Sequence, residues 1–268
     1  MMVMAARENA YTVRLAAGLG MTEETVILLD LWQEGMDTRA LTRAARESGR
    51  FPGISASRLD NLVSDGFALR YLVSQGAPAR LLKALQPYLS RREFEQLLFL
   101  YTCRAHPILA DFVGEVYWPA YAAGRVRLDN GEARQFVTHG NQEGKTTTPW
   151  AESTIRRAAG YLTGCCADFG LLERGRRTER RILTYRLESR TGAILAYECH
   201  FAGLGDNRLI ANPDWALFGL TPEDVLTELK HLALKGQLIV QTAGHVTQIS
   251  WPYTTMDEVI DAIAHGHL

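Results

Sequence analysis

The feature that most constrains the fold is a long helical stripe in the middle of the sequence. Between Trp150 and Phe169, apolar residues recur with the period of an α-helix and fall on one face of it. Other elements must cover so long an apolar face, so the stripe predicts a helix at the centre of a folded core. Its residues are Ile155, Ala158, Ala159, Leu162, Cys165, Cys166 and Phe169.

A basic hairpin is predicted directly after this helix. Residues 171–172 open an extended segment, and the alternation of apolar and polar residues across 183–187 predicts the returning strand. The tip between the two segments is rich in arginine. A shorter helix is predicted across 132–143, so the order is helix, turn, longer helix and basic hairpin, which is typical of a winged helix.

This order predicts contact with duplex DNA. A helix fits the major groove and presents its first turns to the base edges, while arginines on a projecting hairpin reach phosphates or the minor groove. Basic hairpins can also be merely solvated, and winged helices also bind proteins, so protein docking stays open as an alternative. The residues predicted to contact DNA are Ser153, Thr154, Arg156, Arg157, Arg174, Arg176, Arg177, Arg180 and Arg181.

Helix start and stop signals divide the rest of the chain. The first 120 residues predict helices with short breaks, with Asp37 as one cap and a capping box that starts at Ser90. Thr221 opens a second helix–hairpin–helix unit, so the chain is predicted to be mainly α with small β-hairpins. The predicted segments are 1–21 (N-terminal segment), 22–123 (helical bundle), 124–190 (winged-helix-like module) and 191–268 (C-terminal module).

Charge is distributed unevenly along the sequence. Residues 151–190 contain nine Lys and Arg against five Asp and Glu, whereas residues 191–268 contain three against nine. A basic middle segment favours an anionic partner, and the acidic C-terminal segment favours a basic protein surface.

No catalytic, metal or cofactor motif is recognisable. Gly144-Lys145-Thr146 lacks the earlier glycine and the preceding strand of a phosphate loop, and no histidine shows zinc-ligand spacing with the four cysteines. The cysteines are expected to be buried thiols of a cytoplasmic protein. No apolar run is long enough to span a membrane, and no secretory signal is expected at the start.

Short motifs spread over nearly the whole chain are similar to those of one protein family. They are Tyr11-Thr12 with Leu15 and Gly18, Glu24-Thr25, Leu31 to Gly35, Leu109-Ala110-Asp111-Phe112 with Glu115-Val116, Ser153-Thr154-Ile155, Asp168-Phe169-Gly170-Leu171-Leu172-Glu173, Asn212-Pro213-Asp214-Trp215, Phe218-Gly219-Leu220, Val240-Gln241-Thr242-Ala243-Gly244 and Ile249-Ser250-Trp251. With these motifs the sequence resembles the BrxA family of BREX phage-defence systems.

The resemblance implies a non-catalytic accessory protein that binds double-stranded DNA. It also implies a mostly helical fold with helix-turn-helix modules and a likeness to the antiterminator NusB. Other BREX subunits would be its partners and would carry the methyltransferase, ATPase and phosphatase-like activities. The alternative function is a structural adaptor that docks other defence subunits with little DNA contact, and the oligomeric state is open.

One segment departs from the family pattern. Where the family usually has a more basic stretch, residues 51–58 read Phe-Pro-Gly-Ile-Ser-Ala-Ser-Arg, so only Arg50 and Arg58 flank it. This departure argues against DNA contact by the N-terminal helix pair.

Overall fold

The chain is mainly helical, with two small antiparallel strand pairs, which confirms the predicted fold class. All four cysteines are free and buried, as expected. The computed structural model describes residues 10–17, 19–146, 148–175, 178–243 and 246–268.

The described chain forms two compact units. The larger unit comprises residues 10–83 and 98–185, and the smaller unit comprises Ala84–Leu97 and Arg186–Leu268. Each unit is therefore built from segments that are not adjacent in sequence.

Helices with short connections build the first half of the chain. Their starts follow the predicted signals: the Asp37 side chain accepts a hydrogen bond from Ala40 N at 2.7 Å, and Ser90 and Glu93 form a capping box. The helices are α1 (Thr22–Leu31), α2 (Thr38–Glu47), α3 (Ala56–Asn61), α4 (Leu69–Tyr71), α5 (Val73–Leu85), α6 (Arg91–Ala105), α7 (Pro107–Phe112) and α8 (Trp118–Ala122), with π-helical segments Leu62–Ala68 and Val113–Tyr117 after α3 and α7.

Two motif residues of the family resemblance hold the N-terminal segment in place. The Tyr11 hydroxyl donates to Asp111 Oδ2 at 2.8 Å, and the Tyr11 backbone N–H donates to the Lys145 carbonyl at 2.6 Å. Further along, Gly20 N–H donates to Asp168 Oδ2 at 3.1 Å. Burial and then the hydrogen bond to Asp111 raise the pKa of Tyr11. These motifs therefore contribute to the fold of the larger unit.

The second half of the larger unit contains a small sheet and two helices. Its elements are β1 (Arg127–Asp129), α9 (Asn130–Gln142), α10 (Glu152–Asp168) and β2 (Glu179–Arg181). β1 and β2 are antiparallel, with Leu128 opposite Arg180. On the other side of β2, Glu173 N–H donates to the Arg181 carbonyl at 2.8 Å. β2 therefore lies between β1 and the extended segment 171–173.

Helix α10 has the predicted buried face. All seven stripe residues are buried, from Ile155 to Phe169 just after the helix. The Phe169 ring contacts Phe99 with 5.5 Å between centroids, and Thr163 Oγ1 donates to Asn130 Oδ1 of α9 at 2.8 Å. The apolar period therefore located the helix and its core-facing side correctly.

The predicted returning strand at 183–187 is wrong in position. The strand lies earlier, at Glu179–Arg181, and residues 183–187 have no regular structure. Tyr185 is buried against Phe99, with 5.9 Å between ring centroids. The alternation of apolar and polar residues at 183–187 comes from apolar side chains that pack on helices. An alternating burial pattern alone cannot distinguish such a segment from a paired strand.

The smaller unit has helices around a second strand pair. Thr221 and Asp224 form the capping box expected at the start of its α13, and Thr255 caps its last helix. Its predicted hairpin is present, although Gly244, assigned to its turn, lies outside the described residues. The elements are α11 (Ser189–Phe201), α12 (Asp206–Ile210), the 3-10 helix Pro213–Phe218, α13 (Pro222–Leu234), β3 (Ile239–Ala243), β4 (Val246–Ser250) and α14 (Met256–Ala264).

The buried histidine between α6 and α7, His106, should make the unfolding free energy fall in mild acid. Burial, followed by the charges of Arg70 and Arg14, lowers the pKa of His106 from 6.5 to about 3. The unfolded chain takes up this proton below pH 6.5, whereas the folded chain does not until much lower pH, so acid favours unfolding. Between pH 7 and pH 5 we expect the wild type to lose about 2 kcal/mol more unfolding free energy than His106→Phe.

Urea denaturation at a series of pH values measures this difference. His267→Gln is the matched control, because it removes an exposed histidine of the smaller unit and leaves His106 in place. Equal pH dependence of the wild type and His106→Phe would contradict the prediction.

Candidate nucleic-acid interface

The first half of α10 presents an exposed face opposite its buried stripe. Ser153, Arg156, Arg157 and Gly160 are exposed and follow one another at helical spacing, while Thr154 is half-buried. In the described part of the chain, neither Arg156 nor Arg157 has an ion pair. Both guanidinium groups are therefore available to a ligand outside the protein.

The start of α10 has no side-chain cap. Ala151 occupies the cap position and cannot accept a hydrogen bond from the first-turn N–H groups. Glu152 supplies a negative charge there, but it pairs with Arg134 of α9 at 2.6 Å. The Thr154 N–H donates to the Ala151 carbonyl at 2.8 Å, so the uncapped start of the helix and the hydroxyls of Ser153 and Thr154 are what could receive a phosphate.

The arginines of the hairpin divide into two groups. Arg174 donates to the Asp168 carbonyl at 3.1 Å, and half-buried Arg180 donates to the Glu173 carbonyl at 3.0 Å, so both brace the main chain of the hairpin. The Arg181 side chain is exposed. Arg176 and Arg177 lie outside the described residues.

Ion pairs neutralise other basic residues around the small sheet. Arg127 pairs with Glu179 of β2 at 3.4 Å. Arg125 pairs with Glu132, and its hydrogen bond lowers the pKa of the Glu132 carboxyl. The backbone N–H of Asp129 and the charge of Arg125 add to this effect. These arginines therefore have acidic partners within the unit, in contrast to Arg156 and Arg157.

Strand β1 is the element that sequence reasoning missed. It is only three residues long, and its pairing partner β2 lies about fifty residues later in the chain. Two local signals mark the place: buried Leu128 between exposed neighbours, and the capping box of Asp129 and Glu132 that starts α9. The pairing itself has no local signature, because it depends on where α9 and α10 fold.

The Gly144-Lys145-Thr146 segment has a structural role. Its Lys145 carbonyl accepts the Tyr11 N–H, and Lys145 Nζ pairs with Glu143 at 3.3 Å. Among the residues with described positions, no group of three or more metal-binding side chains occurs. In the same residues, no helix has both the length and the apolar character to cross a bilayer.

Comparison with known proteins identifies a family. A family model described as BrxA matches residues 9–198, which is more than half of the chain. The matched span contains the basic hairpin and α10 and ends inside α11. No curated protein and no solved structure matches the sequence.

Replacing Gly160 by alanine should raise the unfolding free energy of the protein. It is exposed in α10, and a Cβ added there would meet nothing within 4 Å. Glycine inside a helix costs about 0.5–1 kcal/mol relative to alanine, so we expect Gly160→Ala to raise the unfolding free energy by about that amount.

Gly164→Ala, one turn later, is the matched control. There the Cβ would meet Leu19 Cδ1 at 3.3 Å in a buried position, which opposes the gain in helix propensity. Urea denaturation should therefore rank Gly160→Ala above Gly164→Ala. A destabilised Gly160→Ala would show that Gly160 has a structural partner in the fold.

Proposed function

The chain belongs to the BrxA family, and from this premise we propose that it is a non-catalytic accessory protein that binds double-stranded DNA. Membership makes it a BREX-associated protein, and BrxA is not known as an enzyme family. We further propose that its partners include other BREX subunits. The predicted domain boundaries and the likeness to NusB stay predictions.

The unpaired arginines on the exposed face of α10 carry this proposal. Two neighbouring guanidinium groups without acidic partners favour an external anion, because desolvating them against a neutral surface would lose their hydration without compensation. They lie in the first turns of a helix, the part that meets base edges in helix-turn-helix proteins. Gly160, one turn on, allows a ligand backbone to approach the helix closely.

The order of elements around α10 supports a winged-helix-like module. In such a module a first strand pairs with the returning strand of the hairpin, and the longer helix precedes that hairpin. Here β1 pairs with β2, and segment 171–173 bonds to the other side of β2. Arg181, together with Arg176 and Arg177, would provide the salt-dependent phosphate contacts of the hairpin.

A structural adaptor is the second candidate, and the surface of the smaller unit favours it. Leu234 is 86% exposed and Ile239 is 58% exposed, and residues 191–268 contain nine Asp and Glu against three Lys and Arg. Exposed apolar side chains on a unit with an excess of one charge favour docking of a protein of opposite charge. The two functions are compatible if separate units perform them.

Salt-dependent binding to unrelated duplexes tests the DNA proposal. We expect fluorescence anisotropy to give a log K that falls linearly with log salt, because phosphate contacts release counterions. Arg156→Ala/Arg157→Ala should lower the slope by about 0.9 for each lost phosphate contact, or about two in total. These surface changes should not alter the unfolding free energy by more than about 0.5 kcal/mol.

Arg208→Ala/Lys230→Ala is the matched control. It removes two exposed positive charges from the smaller unit and should leave the slope unchanged. Equal losses in both double variants would indicate a general charge effect and would remove α10 from the interface. Absence of salt-dependent binding in the wild type would favour the adaptor.

A further inference from the structure

An arginine without an ion pair among the described residues is buried inside the larger unit. Arg70 of α4 is 1% exposed, and its Nε and both of its Nη atoms make no well-aligned hydrogen bond there. A guanidinium stays charged inside proteins, and a buried charge without a counter-charge is among the most destabilising features a fold can have. Its presence calls for a compensating negative charge.

Other polar groups without partners surround Arg70. Next to it in sequence, the Tyr71 hydroxyl is buried without a well-aligned hydrogen bond, as are Thr25 Oγ1 and both ring nitrogens of His106. Burial raises the pKa of Tyr71, while the charge of Arg70 and the close polar contacts of Thr102, Thr25 and Arg70 with the hydroxyl oppose that effect. We call Thr25, Arg70, Tyr71 and His106 the Arg70 cluster.

Two carboxylates in the surroundings of the Arg70 cluster have other partners. Asp168 acts on the Cys165 thiol, as Arg70 does, but its Oδ2 accepts the N–H of Gly20. Arg14 adds a second positive charge near His106, and Asp65 pairs with Arg14 at 3.9 Å. Within the described residues Arg70 has no ion pair, so the cluster is positively charged and rich in hydrogen-bond donors.

The chemistry of the cluster specifies a ligand class. A guanidinium is a pure donor, and the hydroxyl groups and the neutral imidazole can each donate one hydrogen bond. Because His106 is uncharged, Arg70 supplies a single positive charge, which a monovalent anion balances. Arg70 and His106 are each 1% exposed, so the ligand must be small enough to be enclosed.

The backbone next to the cluster is strained. Ser74, Gln75 and Gly76 follow Tyr71 closely and are all left-handed, with φ of 54°, 58° and 79°. Left-handed residues other than glycine are uncommon and occur often at ligand sites. This strain agrees with a binding site at the Arg70 cluster.

We propose that the Arg70 cluster binds a small monovalent anion of the halide class, with the Arg70 guanidinium as its principal donor. The site is separate from the α10 face and needs no DNA. It would make the stability of the larger unit depend on which anion is present, at equal ionic strength.

Anion exchange at constant ionic strength tests the proposal. Thermal unfolding of the full chain is followed while sodium chloride replaces sodium gluconate, whose anion is too bulky to be enclosed. We expect the wild-type Tm to rise by about 3–5 °C for each tenfold increase in chloride above its Kd.

Arg70→Met separates this site from general anion effects. It removes the charge but keeps an apolar chain of similar length, so in gluconate it should be at least as stable as the wild type. In chloride it should show none of the wild-type rise. Arg43→Met, which removes an exposed arginine of α2, should keep the full chloride response.

Two results would overturn the proposal: no chloride response in the wild type, or an equal response in Arg70→Met. If Arg70→Met does not fold, the chloride NMR line width of the wild-type protein decides. A line broadened by the protein and narrowed by added bromide supports a halide site. A line no broader than that of a comparable protein without such a cluster refutes it.

Discussion

Burial of one side of α10 organises the larger unit. Two hydrogen bonds hold the C-terminal half of the helix: Thr163 bonds to Asn130 at the start of α9, and Asp168 at the last turn accepts the N–H of Gly20. Phe169 then packs on Phe99 of α6. Because these contacts use the buried side, the opposite side of the first half of α10 is left to solvent, with Arg156 and Arg157 on it.

The same constraint separates structural arginines from available ones. Arg174 and Arg180 bind main-chain carbonyls of their own hairpin, and Arg125, Arg127 and Arg134 bind carboxylates. A basic residue in this sequence is therefore weak support for a nucleic-acid interface until its partners are known. The α10 pair stands apart because the helix exposes both guanidinium groups and, among the residues with described positions, neither has an ion pair.

The family motifs also divide into structural and surface positions. Tyr11, Asp111 and Asp168 join segments that are distant in sequence, and Trp215 Nε1 donates to the Leu209 carbonyl within the smaller unit at 2.8 Å. Ser153 lies on the exposed face of α10. Most motif positions thus specify the fold, and they describe the proposed function only where they reach the surface.

Local sequence patterns were enough to predict the mainly helical fold class, several helix caps and the buried face of α10. These features are local, because helical period and cap chemistry depend on residues within a few turns. The sequence also marked Arg156 and Arg157 as exposed, since they lie off the apolar stripe.

Strand pairing, the partners of the arginines and the surroundings of Arg70 became known from the folded structure alone. β1 meets β2 across about fifty residues, and the alternation at 183–187 belongs to packing against helices and not to a strand. Arg70 lies in a sequence that reads as an ordinary amphipathic helix, yet it is buried beside His106. Strand pairing and charge burial depend on residues brought together by the whole unit, so no local pattern contains them.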